Sequence, residues 1–135
     1  MDWKRIIIAG IVSGIVIFAV SAIIRVIVQA ILPYNVLELG GMRATTDPVI
    51  VLFFLHPWVI GFTMAILYEK TKSSFQGTYV QKGAMLGLLV WLVASLSSAF
   101  AVYTSINYPL GFKVDVIIGT FLYMLAAGIV TAKLM

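Results

Sequence analysis

Cysteine is absent from the chain, which excludes disulfides, thiolate metal sites, cysteine nucleophiles and haem attached through thioethers. Charge is nearly as scarce. Asp, Glu, Lys and Arg make up 10% of the residues, against about 25% in soluble domains. The five acids, Asp2, Glu38, Asp47, Glu69 and Asp115, fall in expected loops or at the ends of apolar stretches. A single histidine, His56, excludes a bis-histidine haem site, and no acid is expected beside it to orient it for Ser-His chemistry. No carboxylate-histidine group has the spacing of a metal site. The reading is therefore of a protein that is not an enzyme, with no catalytic residues, no metal and no cofactor.

What the chain does have is apolar length. Hydrophobic residues make up 62% of it, with a mean hydropathy of +1.11. Four apolar stretches dominate, Ile6 to Ile24, Val49 to Tyr68, Gly83 to Tyr103 and Val114 to Ala132. Roughly 20 apolar residues cross a hydrocarbon core about 30 Å thick, so each stretch is long enough to span as a helix. The expected fold is an all-α integral membrane protein, an antiparallel four-helix transmembrane bundle with helix 2 kinked near Pro57. One domain is expected over residues 1–135, with spans at about 5–32, 48–68, 82–103 and 114–133. The first run resembles a secretory signal but is longer than a signal core and lacks a clear cleavage site, so it is read as a retained span. Asp47-Pro48 is a strong helix start, an aspartate cap before a proline at the first helical position.

The net charge of +4 and pI near 9.5 are better explained by topology than by nucleic acid, since the basic residues form no helix face and have no aromatic platform. Lys4, Arg5, Lys70, Lys72, Lys82 and Lys133 fall on one side of the threading, and Arg43 and Lys113 on the other, with Arg25 near that second side. The positive-inside rule then places both termini and the middle loop in the cytoplasm. The expected location is the plasma membrane of a prokaryote. In size and hairpin layout the chain is similar to the many small four-span proteins of prokaryotes. The small multidrug carriers are also of this size, but the glutamate expected inside their first span has no counterpart here.

Among the polar positions, His56-Pro57 stands out. The imidazole is expected near mid-membrane, and Pro57 removes the amide that would serve the Phe53 carbonyl. Trp58, Trp91, Ser95 and Tyr123 lie at similar expected depth and are candidates, with His56, to line a midplane ligand pocket. Arg25 is a further candidate at the outer interface, paired with Asp47 or Asp115, or facing anionic headgroups. Asp115 itself is expected at the start of span four, where it favours the helix dipole. Gly10 and Gly14 in span one, and Gly83 and Gly87 in span three, are small-residue pairs that let helices approach closely. Two functions follow. The first is a non-catalytic membrane protein that packs as a homo-oligomer or as a subunit of a larger membrane complex, with membrane lipids as partners and lipid in an intramembrane groove. The second is binding or transport of a small hydrophobic or amphipathic molecule at the His56 pocket. Reporter fusions at the amino terminus and at the Lys70 loop should both read cytoplasmic; opposite readings would overturn the threading.

Overall fold

The computed structural model describes residues 2–135, and these form helices and no strand. Four helices are long and apolar enough to cross a membrane: α1 Trp3–Ile31, α2 Pro48–Ser74, α3 Tyr79–Ser105 and α4 Leu110–Leu134. Each start has a local cause. Asp2 accepts from the Arg5 amide at 3.2 Å, and Asp47 accepts from the Val49 amide at 2.9 Å ahead of Pro48. Thr78 and Gln81 form a reciprocal capping box before Tyr79.

Three boundaries differ from the sequence expectation. α2 runs on through Glu69 and Lys70 to Ser74, because charged residues are compatible with a helix end and the chain turns only at Gly77, whose φ is +95°. α3 opens at Tyr79 instead of Lys82. α4 opens at Leu110, directly after Pro109, so Asp115 lies about 7 to 8 Å inside the helix and not at its start.

Neither α2, α3 nor α4 is a uniform α-helix. The first eight residues of α2, Pro48–Leu55, are a 3-10 helix, and π-helical turns occupy Trp91–Leu96 in α3 and Asp115–Gly119 in α4. The 3-10 register answers the proline. In an α-helix the Phe53 carbonyl would wait for the missing amide of Pro57, whereas here it accepts from the amide of His56. The irregularity expected near Pro57 thus takes the form of a change of helix type, and the Phe53 carbonyl is not left without a donor.

The helices pack in the order α2, α1, α4, α3, with α2 and α3 meeting only sparsely. At one end, the start of α1 (Ile6, Ala9) packs on Ala65 near the end of α2 and on Met135. This terminal end gathers both termini and the α2–α3 connection; the opposite, loop end carries the other two connections. Two seams bring backbones together through glycine. A Cβ on Gly61 of α2 would lie 2.5 Å from the Gly10 carbonyl oxygen and 2.7 Å from the Gly14 nitrogen of α1. A Cβ on Gly83 of α3 would lie 2.5 Å from the Gly128 carbonyl oxygen of α4, and Gly87 faces the Met124 carbonyl in the same seam. Between the seams, α1 and α4 share a buried polar contact. Ser13 Oγ and Thr131 Oγ1 lie 2.8 Å apart, both fully buried. Around it, Ile17, Met64, Tyr68, Leu86 and Met124 make the largest apolar cluster.

Packing is uneven along the helices. In the 3-10 part of α2 no residue is buried, and every residue from Val51 to His56 is exposed. The loop-end half of α3 is also open, with Phe100 70% exposed.

A side chain at the α1–α2 seam has no space to enter, because the opposing atoms are backbone. Gly61→Leu should therefore cost about 1–3 kcal/mol of stability, the range for overpacking. Gly40→Ala, a position with open space around it, should leave thermal unfolding in detergent unchanged. A Gly61→Leu protein that melts with the parent would refute the seam.

Candidate functional site

The densest polar cluster lies toward the loop end, where α1, the connection after it, and α4 meet. α1 ends at Ile31, and the side chain of Gln29 reaches forward to clamp both backbone groups of Tyr34: Nε2 donates to the Tyr34 carbonyl at 2.7 Å, and Oε1 accepts from the Tyr34 amide at 3.1 Å. Held in this way, the Tyr34 hydroxyl donates to Asp115 Oδ2 at 2.7 Å. The same carboxylate oxygen lies 3.6 Å from Nε of Arg25. Gly119, one turn further along α4, leaves room for the carboxylate, since a Cβ there would lie 2.8 Å from Asp115 Oδ1.

Around these groups Ile24, Val28 and Tyr34 form an apolar cluster with Phe112 against it, and Tyr34 meets Phe112 edge to face at 5.8 Å. Burial, and then the bond to Asp115, push the Tyr34 phenol up from 10.0 to about 12. The carboxylate is engaged by a phenol and a guanidinium, and these contacts join α1 and the connection after it to α4. Of the two expected partners, Arg25 has Asp115; Asp47 is instead paired with Arg43 at 2.7 Å, and that hydrogen bond, with the Val49 amide, holds its carboxyl below the usual range.

The other candidate residues fall in three separate places. Trp58 lies over Gly14 at the α1–α2 seam and tilts against Phe18 at 6.0 Å. Trp91 and Tyr123 both pack on the main apolar cluster. Trp91 Nε1 donates to the Ile117 carbonyl at 3.1 Å and to Thr120 Oγ1 at 3.0 Å, so the π-helical turn of α3 is tied to that of α4. Ser95, in the same turn of α3, is half-buried. His56 is exposed on α2; its amide bonds the Phe53 carbonyl, and its imidazole hydrogen-bonds to none of the described residues. Gly10, Gly14, Gly83 and Gly87 all lie in seams within the chain.

Sequence reasoning missed Ser13, Thr131 and the Gln29–Tyr34 clamp. A serine one turn from Gly10 on the same helix face was the one available signal for the first pair. Nothing local marks Thr131 as its partner across 118 positions.

Comparison of the chain with protein-family models, with curated proteins and with solved structures gives no match in any of the three.

The Tyr34 phenol keeps its proton more firmly in the folded state than in the unfolded one, so it contributes stability below pH 10 that is lost as pH rises toward 12. Stability of the parent against unfolding should fall over that window more steeply than that of Tyr34→Phe. Equal slopes in a pH series of denaturation midpoints would show that the phenol is free of Asp115.

Proposed function

We propose that this chain is a non-catalytic membrane-embedded protein, crossing the bilayer four times, that assembles with a second copy through the loop-end half of α2. The observation that carries this reading is the isolation of that segment. Pro48–Leu55 is apolar on every side, buries none of its residues, and ends at an imidazole without a partner among the described residues. Eight residues at about 2.0 Å each put His56 about 16 Å from the start of α2, near the middle of a core about 30 Å thick.

Two physical arguments point to a protein partner rather than lipid alone. Helix association in hydrocarbon is driven by close packing and interhelical hydrogen bonds, and this 3-10 run, long for its type, has no residue buried by its own chain. An unpaired imidazole in hydrocarbon is also unfavourable. A second copy relieves both at once. Two-fold symmetry sets the same patch against itself, and a neutral imidazole carries one donor and one acceptor, so His56 of one copy can bond His56 of the other. The four glycine positions are consumed by seams inside the chain, which leaves α2 as the more exposed face for assembly.

The lack of native cysteine makes the test direct. Single cysteines at Leu52, Phe54 or Leu55 should cross-link copies in membranes, and one at Val93, exposed on α3, should not. His56→Leu should lower the dimer association constant by about threefold, from roughly 0.6 kcal/mol for an interhelical hydrogen bond in a membrane. Cross-linking equal at Leu52 and Val93 would overturn the interface.

A further inference from the structure

At the terminal end a groove of about 1060 Å³ opens between α3, α4 and the α2–α3 connection. Its lining changes character along its length. Gln76, Gln81 and Lys82 stand at the rim, while Met85, Leu89 and Leu125 line the deeper part. From Gln81 to Leu89 the groove follows α3 for about 12 Å, most of the roughly 15 Å depth of one leaflet. It is closed off toward the middle by Phe121, which meets Trp91 edge to face at 5.1 Å.

Lys82 also lines a second depression of about 490 Å³ on its other side, with Tyr68, Ser73 and Tyr79. Of the basic residues here, Lys72 is held by Glu69 at 2.7 Å, and Arg5 pairs with Asp2 at 3.3 Å. Lys82 is half-buried, and its ammonium has neither an ion pair nor a hydrogen bond among the described residues, while its amide bonds the Thr78 carbonyl. Six basic residues and two acids, Asp2 and Glu69, belong to this end.

We infer that this groove is a binding site for an anionic glycerophospholipid, its phosphate at Lys82 and one acyl chain along Met85, Leu89 and Leu125. The charge and the polarity gradient select this occupant. A free phosphate would leave the apolar length of the groove empty, and a zwitterionic lipid would bring its own cation to an already basic rim. A basic pocket between spanning helices is the form such headgroup sites take. The site rests on the membrane reading proposed above and is independent of the α2 interface, which lies toward the other end.

The test uses full-length protein reconstituted in vesicles of phosphatidylcholine with one part in ten phosphatidylglycerol. Flotation is read first: protein that does not float with the vesicles refutes the membrane reading itself. For protein that floats, native mass spectrometry after gentle extraction should show one retained phosphatidylglycerol per chain. Lys82→Ala should cut that occupancy at least tenfold, and Leu89→Trp, which fills the groove without touching charge, should cut it similarly. Lys133→Ala, an exposed cation outside the groove, should leave it unchanged. Equal losses in Lys82→Ala and Lys133→Ala would reduce the effect to general surface charge and overturn the site. Retention of phosphatidylcholine in place of phosphatidylglycerol would do the same.

Discussion

The approach of peptide backbones at two glycine seams is the contact on which the remaining architecture depends. Gly61 rests against the main chain of α1 at Gly10 and Gly14, and Gly83 and Gly87 rest against the main chain of α4 near Gly128 and Met124. In the membrane reading proposed above, apolar side chains gain little by leaving hydrocarbon, so dispersion between closely spaced backbones supplies most of the attraction. The seams also set where everything else falls. With α1 and α4 brought to the middle of the row, Ser13 meets Thr131, and Asp115 comes within reach of Arg25 and Tyr34.

The helical irregularities share one logic. In two of them a backbone carbonyl has an identifiable donor: the His56 amide serves Phe53, and the Trp91 indole serves Ile117. The π-helical turns of α3 and α4 sit opposite one another, so a single indole N–H bridges two disturbed ladders. No buried side-chain polar atom among the described residues is left without a partner. The imidazole of His56 and the ammonium of Lys82 are among the groups left without a partner, both exposed or half-exposed, and those two positions are assigned partners from outside the chain.

Much of the helical framework was legible because hydropathy and length are local properties. Four long apolar helices, and the Asp47-Pro48 start, follow from runs of residues that need no knowledge of their neighbours. The ends were less legible. Glu69 and Lys70 look like a loop by polarity, yet only Gly77 has the backbone freedom that turns the chain. The Thr78–Gln81 box was readable as a pattern and went unused; Leu110 and Phe112 look like connection because Asn107 and Pro109 precede them. The candidate site was legible in its members but not in its grouping. Arg25 and Asp115 were an expected alternative, while Tyr34 and Gln29 join them only because the turn after Ile31 folds back. Equal depth along α2 and α3 placed Trp58, Trp91 and His56 together in expectation. Their rotation about the helix axes, set by the glycine seams, separates them.

The row-like order of the helices carries a consequence for how the polypeptide can be divided. Each glycine seam joins helices that are neighbours in sequence, so each hairpin is complete in its closest contacts before the other exists. What unites the hairpins is the α1–α4 contact, centred on one pair of hydroxyls and helped at the loop end by Arg25 and Asp115. A chain severed between Ser74 and Tyr79 would therefore yield two half-proteins that each insert, and that find one another as independent fragments to rebuild the whole.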